Sequence, residues 1–330
     1  MPHKRWALLL AALLLSVSPP GRAEGGSHWR IYPLTAGRGG TFAVAVTVSP
    51  RGNVWVRQGG DGPVSWLDGF QVRTIPFSGT GNFPVYESRS GQIWALFAGG
   101  VMEFRRDQWV QYPVAEISAE IRSSALRYGH PFPLLPAERD HVLALLPNRL
   151  LEYDAGQGRT ILLRKAEETR LGRFNELVEA RDGGAWLAGS NGLAKLPAPI
   201  RRLTPESSWQ QILPDPSWRN QNFERPYEDD EAGVTVVADS LSTTGRVVLQ
   251  FNGQSWRTPI PAPDKARAAW RGLEGVLWVL TRSSLFKRER NEWEPVAVPA
   301  LGAAQYFDVA TEPNGVFWLA TTEGMVRHAL

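Results

Sequence analysis

The stretch Gly91-Gln-Ile-Trp94, followed by Gly100-Val101 and Trp109-Val-Gln-Tyr112, decides the fold because its parts return along the chain. Its first element, a glycine three residues before an aromatic or aliphatic residue, recurs with some variation in seven copies. The other clear copies are Gly52-Asn-Val-Trp55, Gly183-Gly-Ala-Trp186, Gly275-Val-Leu-Trp278 and Gly315-Val-Phe-Trp318, and the weaker ones are Asp140-His-Val-Leu143 and Gly233-Val-Thr-Val236. The key positions are 39, 49, 43, 50, 42 and 40 residues apart. Short apolar strands at this period are typical of a β-propeller.

Tryptophan at the key position explains how such blades would pack. A four-stranded antiparallel blade cannot bury both faces alone, so it stacks against neighbours on each side. A large indole ring fills that gap, and we expect its N–H to find a backbone carbonyl. The sequence therefore predicts an all-β, seven-bladed propeller whose strands run inner, Gly-Trp, hairpin and outer from the channel to the rim.

The two ends of the chain predict how the ring closes. The last copy stops at Leu330, directly after its third strand, and so lacks an outer strand. Near the start, Trp29-Arg-Ile-Tyr-Pro33 matches the outer strand Trp109-Val-Gln-Tyr-Pro113 but has no blade before it. We expect residues 28 to 34 to pair with residues 324 to 330, which removes the open edge.

The first 23 residues have the pattern of a cleaved secretory signal. Lys4 and Arg5 precede an apolar run that ends at Val17, and small residues follow at Gly21-Arg-Ala23. This run is too short to cross a bilayer. We expect residues 24–330 to form one domain, exported to the periplasm or secreted as a monomer, with no membrane span after cleavage.

Composition excludes several function classes. The formal charge is +3 with Lys and Arg scattered among acidic residues, so nucleic acid is not an expected partner. Cysteine is absent, no histidine pair has zinc-ligand spacing, and no Walker or Gly-x-Ser-x-Gly motif occurs. We expect no metal and no cofactor, and His130 in the long Pro113-to-Glu138 connection is the one weak catalytic candidate.

A phenylalanine comes 11 to 13 residues before the key position in six of the copies. Such residues either pack between inner strands or form an aromatic collar at a channel mouth, where long connections such as Thr204 to Glu231 would gather. The ligand-binding candidates, which combine members of this collar with polar neighbours and His130, are Asn82, Phe83, His130, Phe132, Arg173, Phe174, Asn175, Phe223, Arg225, Gln305 and Phe307. Carboxylates on or near inner strands leave acid–base chemistry open: Glu87, Glu176, Glu179, Glu228 and Asp308.

The element Gly-x-Ile/Val-Trp, then Gly-Val or Gly-Leu, then Trp and Tyr resembles the two-component regulator propeller repeat. Gly91-Gln-Ile-Trp94 with Trp109-Val-Gln-Tyr112, and Gly183-Gly-Ala-Trp186 with Gly192-Leu193, carry the resemblance. It implies the extracytoplasmic sensor part of a membrane histidine kinase, which binds a ligand that is often saccharide-related. The sequence shows neither a membrane helix after residue 23 nor a kinase, so signalling would require a separate membrane sensor kinase.

The favoured function is therefore non-catalytic binding of a saccharide, another small molecule, a peptide or a protein at the channel mouth. One alternative is a propeller enzyme, either a polysaccharide lyase or a hydrolase of the lactonase type. A second alternative is an envelope scaffold without a small ligand. Fold alone does not decide among these, because function depends on the site.

Overall fold

A computed structural model describes residues 28–34, 42–60, 62–67, 71–77, 82–123, 132–138, 140–229, 233–242, 245–299, 301–302 and 304–329. These residues form seven four-stranded antiparallel sheets, which confirms the seven-bladed propeller. The predicted signal, residues 1–23, and His130 lie outside the described residues. No helix in the described ranges is long and apolar enough to cross a membrane.

The strands follow one another in chain order. The first is β1 (Trp29–Tyr32). Blade 1 contains β2 (Ala43–Val48), β3 (Val54–Gln58), β4 (Val64–Leu67) and β5 (Val72–Ile75). Blade 2 contains β6 (Val85–Glu87), β7 (Ile93–Phe97), β8 (Gly100–Arg105) and β9 (Gln108–Pro113). Blade 3 contains β10 (Leu134–Pro136), β11 (His141–Leu146), β12 (Arg149–Asp154) and β13 (Arg159–Lys165). Blade 4 contains β14 (Phe174–Glu179), β15 (Ala185–Gly189), β16 (Gly192–Leu196) and β17 (Gln210–Ile212).

The remaining blades repeat this plan. Blade 5 contains β18 (Asn220–Glu228), β19 (Val234–Ser240), β20 (Gly245–Phe251) and β21 (Ile260–Pro261). Blade 6 contains β22 (Ala268–Arg271), β23 (Leu277–Leu280), β24 (Leu285–Glu289) and β25 (Glu292–Val296). Blade 7 contains β26 (Tyr306–Thr311), β27 (Phe317–Thr321) and β28 (Gly324–His328), with β1 as its outer strand.

The helical elements lie in the connections. One α-helix, α1 (Ala115–Ser123), occupies the long connection between blades 2 and 3. Short 3₁₀ turns cover Ala166–Glu168, Ile200–Arg202, Pro216–Trp218 and Leu273–Gly275. The expectation that Pro113 to Glu138 and Thr204 to Glu231 are connections between strands was wrong in its bounds. The first segment contains β10, and the second contains β17 and β18.

Ring closure occurs as predicted. Strand β1 pairs antiparallel with β28, with Trp29 opposite His328 and Tyr32 opposite Met325. Gly324 has φ +117°, and a Cβ there would lie 2.7 Å from the Tyr32 carbonyl oxygen. Glycine therefore permits the close approach of the two chain ends that the closed ring requires.

The core lies between neighbouring blades. Trp94 of blade 2, for example, packs in one cluster with Leu151 and Tyr153 of blade 3. The expected indole-to-carbonyl hydrogen bond was wrong for all five key tryptophans. The Nε1 atoms of Trp94, Trp186 and Trp278 are buried without a hydrogen-bond partner among the described residues, and Trp55 and Trp318 do not donate to carbonyls. Their Nε1–H groups donate to carboxylates instead, Trp55 to Glu87 at 2.9 Å and Trp318 to Glu312 at 2.8 Å.

We expect Trp29→Ala to open the ring. Trp29 packs against Phe317 and His328, at centroid distances of 5.9 and 4.4 Å. Loss of a packed tryptophan costs about 3 kcal/mol, so Tm of this domain of roughly 300 residues should fall by about 4–6 °C. Trp109→Ala is the control, because Trp109 has the matching position in the outer strand of blade 2, whose four strands are consecutive in the chain. The closure account fails if calorimetry shows that Trp29→Ala lowers Tm no more than this control does.

The same aromatic cluster predicts acid sensitivity. Burial, with a smaller contribution from His28, lowers the pKa of His328 to about 4. The unfolded chain binds a proton near its ordinary pKa of about 6.5, so stability should fall as pH decreases from about 6.5 to about 4. Chemical denaturation of His328→Phe should show a shallower loss over this range. An identical pH slope in the variant would contradict this assignment.

Candidate functional site

A cavity of about 350 Å³ lies in the central channel, lined by six of the seven blades. Its walls come largely from the carboxyl-terminal parts of the inner strands and the turns that follow them. Most lining residues that carry no charge are aliphatic or proline: Val46, Val48, Leu135, Leu177, Val178, Ala180, Val309, Ala310, Pro50, Pro84, Pro133, Pro136, Pro226 and Pro313. Such a concave, mostly apolar cavity with a few polar groups has the character of a ligand site.

Irregularities in the backbone determine where the polar groups of this cavity lie. Strand pairing shifts at a β-bulge immediately before Glu176 and again immediately before Asp308. In β18 the pairing is irregular on both sides of Glu224, and Arg225 has φ +52°. A β-bulge changes the direction of the side chains next to it, and an arginine in the left-handed backbone region is strained. Both features are common at functional sites.

Arg225 and Asp308 form an ion pair across the channel. Asp308 also accepts a hydrogen bond from the Val46 backbone N–H at 2.9 Å, which ties blade 1 to blade 7. Burial opposes ionisation of Arg225, but Asp308, Tyr227 and Glu176 together hold the Arg225 pKa well above its usual range. The arginine therefore stays charged and its charge is balanced mainly by Asp308.

Glu176 is the unusual carboxylate of this group. Its side chain is partly accessible from the cavity, and it makes no hydrogen bond or ion pair with another described side chain. Burial raises the pKa of Glu176 to about 7, with Arg225 opposing the shift and Glu224 and Asp308 adding to it. The carboxyl group is thus about half ionised at neutral pH, with oxygens free to accept hydrogen bonds.

Two tyrosines complete the cluster. Tyr227 donates from its hydroxyl to the Val309 carbonyl at 2.9 Å, and Tyr86 lines the cavity from blade 2. Burial is the main cause that raises the pKa of both tyrosines, with Asp308 and Glu176 adding to the shift. Both therefore remain neutral and present aromatic surface beside the carboxylates.

The other carboxylates that line the cavity already have partners. Glu179 accepts from Arg89 at 2.7 Å, and Glu87 accepts from Asn53 and Trp55. Glu228 accepts from the Arg181 backbone, while Glu312 accepts from Trp318. These bonds fix the mouth of the cavity and leave Glu176 as the free acceptor within it.

Of the ligand-binding candidates that lie in the described ranges, Arg225 alone lines this cavity, and His130 lies outside those ranges. Asn82 and Arg173 are exposed, Asn175 donates to the Phe223 carbonyl at 3.0 Å, and Gln305 accepts from Arg282. The phenylalanines lie at or near the amino-terminal ends of the inner strands, away from the cavity, and pack within the inter-blade clusters: Phe83, Phe132, Phe174, Phe223 and Phe307.

Sequence reasoning missed Tyr86 and Tyr227, and it named Glu176 and Asp308 without separating them from three other carboxylates. One signal was available. Glu176 and Asp308 each lie ten residues before the key tryptophan of their blade, Trp186 and Trp318. In the described part of the chain, no group of three or more histidine or carboxylate side chains is arranged to hold a metal ion.

Known structures share the fold at low sequence identity. Catalytically inactive virginiamycin B lyase from Staphylococcus aureus with quinupristin has a TM-score of 0.64 at 14% identity, covering 92% of this chain and 99% of that one. The extracellular domain of a putative one-component system from Bacteroides thetaiotaomicron has a TM-score of 0.60 at 13% identity, and the match covers 91% of this chain and 39% of that one. YCF48 bound to D1 peptide has a TM-score of 0.59 at 10% identity, covering 92% and 97%. No protein-family model and no curated protein sequence matches the chain.

We expect Glu176→Gln to change the pH dependence of stability. A carboxyl pKa raised from about 4.5 to about 7 makes the folded state bind more protons in this range, so the Glu176 contribution to stability falls as pH rises. Relative to the parent, the variant should gain about 2–3 kcal/mol between pH 4.5 and pH 8. Urea denaturation at both pH values measures this difference, and a pH-independent difference would contradict the raised pKa.

Proposed function

We propose that this protein is an exported, non-catalytic binding propeller that takes a small ligand in its channel cavity. The carrying observation is Glu176, a carboxylate inside a mostly aliphatic cavity with no hydrogen-bonding side chain among the described residues. The surroundings of this carboxyl group disfavour its ionised form, which raises its pKa. A ligand that donates to Glu176 would stabilise the ionised form, and that is the arrangement expected of a binding site.

The comparisons support binding as a use of this architecture. Among the proteins of similar fold, one is the extracellular domain of a signalling system and another was solved bound to a peptide. A sensory role for this chain would require export by the predicted signal and a separate membrane kinase as partner. The resemblance of its repeat to two-component regulator propellers supports the same proposal.

Catalysis in the channel is the second candidate, and Glu176 is the observation that favours it. A carboxyl group with a pKa of about 7 suits general base catalysis at neutral pH. The similar lyase structure is an inactive histidine-to-alanine variant. Of the described histidines His28, His141 and His328, none lines the cavity of this protein. Turnover lost in Glu176→Gln would establish this alternative.

Filling the cavity should abolish binding. Val48 lines the cavity and packs at the edge of one core cluster, and Val72 packs against the same cluster from outer strand β5. Val48→Trp should remove ligand-dependent stabilisation, whereas Val72→Trp should retain it. Thermal shift with oligosaccharides, short peptides, small amines and carboxylic acids measures this effect, since a ligand at 100-fold its Kd adds about 2.7 kcal/mol.

Two outcomes would overturn the proposal. One is that no compound in the panel raises Tm of the parent protein. The other is that a stabilising compound acts equally on Val48→Trp, which would place its site outside the channel.

A further inference from the structure

We propose that the channel ligand is a small amine whose ammonium group binds Glu176 and whose apolar body packs on the aliphatic wall. This inference rests on the proposed binding function and names the chemistry of its ligand. The reason is that the other carboxylates of the cavity have partners among the described residues, whereas Glu176 has no side-chain partner there.

Charge balance favours a cation. The lining residues include six carboxylates, and five of them have a cationic side chain within 4 Å. Arg225 is paired with Asp308, and Arg89 is paired with Glu179. Lys195, behind the cavity wall, lies 3.9 Å from Glu228. Glu176 has no such counterion within salt-bridge distance among the described residues, so a ligand cation would supply the missing charge.

The surroundings of Glu176 disfavour other ligand classes. An anionic group would be repelled by the unpaired Glu176 carboxylate. Arg225, the cation that acts on the Glu176 pKa, is already paired with Asp308. A polyhydroxylated sugar needs many hydrogen-bonding partners, but the wall around the cluster is supplied mainly by residues such as Val46, Leu135 and Val309. An ammonium on an apolar body matches one acceptor within an aliphatic wall.

The tyrosines add to the selectivity for a cation. Tyr86 and Tyr227 both interact electrostatically with Glu176, so their rings belong to the same cluster. Aromatic faces attract ammonium groups, and more strongly when the cation is desolvated. A neutral isostere of the amine would gain neither this attraction nor the ionic hydrogen bond.

Binding should be coupled to proton release. The titratable and charged groups that face Glu176 are Arg225, Glu224 and Tyr227 from β18, Asp308 from β26 and Tyr86 from β6. The wall from β2 and β10 supplies uncharged residues such as Val46 and Leu135. A bound ammonium lowers the Glu176 pKa, so affinity should increase from pH 5.5 to pH 8, where the amine, with a pKa of about 10, remains charged.

The test compares 2-phenylethylamine with its neutral isostere 2-phenylethanol by isothermal titration calorimetry on the full chain. The parent protein should bind the amine at least 10-fold more tightly than the alcohol at pH 8. Glu176→Gln should lose this preference, and Glu176→Asp should retain part of it. Glu167→Gln is the matched control, because Glu167 is 76% exposed and lies on the 3₁₀ turn outside the channel.

Titrations in two buffers of different ionisation enthalpy provide a readout that does not depend on any variant. Near pH 7 the parent should release about half a proton for each amine bound, because Glu176 is half protonated there. Equal affinity for amine and alcohol, or binding without proton release, would overturn the inference.

Failure of the ammonium inference can be distinguished from failure of the binding function. If an oligosaccharide or peptide binds, Val48→Trp blocks it and Glu176→Gln does not affect it, the channel is a binding site and the ammonium inference is wrong. If Val48→Trp leaves all ligand binding unchanged, both the channel site and the inference are wrong.

Discussion

Face-to-face packing of seven sheets in a closed ring is the constraint on which the rest of the structure depends. Each blade buries its faces only against its neighbours, so an open ring would expose two apolar faces. The aromatic group of Trp29, Trp278, Phe317 and His328 marks the place where the first and last segments of the chain meet. Pairing of β1 with β28 completes blade 7 there.

The channel chemistry is a consequence of this geometry. Inner strands of a seven-bladed ring surround a central space, and the side chains that face it come from residues far apart in sequence. Asp308 links blade 7 to Val46 of blade 1 and to Arg225 of blade 5. The bulges before Asp308 and Glu176 place these carboxylates in the same space. Packing outside the channel thus holds a charged cluster in which, among the described residues, the Glu176 carboxylate has no side-chain partner.

Much of the fold was predictable because each blade contains its own copy of the repeat pattern. Even the weak copies ending at Leu143 and Val236 lie on second strands, β11 and β19. The site was not predictable in the same way. The sequence placed Glu176 on an inner strand, but its lack of a partner depends on Arg225 pairing with Asp308 across the channel, 83 positions apart in the chain. The regular phenylalanines left packing between inner strands and an aromatic collar as alternatives, because packing has the same period as binding would have. Phe223 is fully buried between blades.

Amide hydrogen exchange in β1 tests the closed ring most directly. His28 accepts from the Ala329 N–H, so in this register the N–H groups of Arg30 and Tyr32 face β28. If β1 completes blade 7, these two amides should exchange as slowly as those of Leu319 and Val326 in the same sheet, because all open only on global unfolding. Fast exchange in β1 together with slow exchange in β27 and β28 would show a frayed terminus and an open ring, and it would contradict the account.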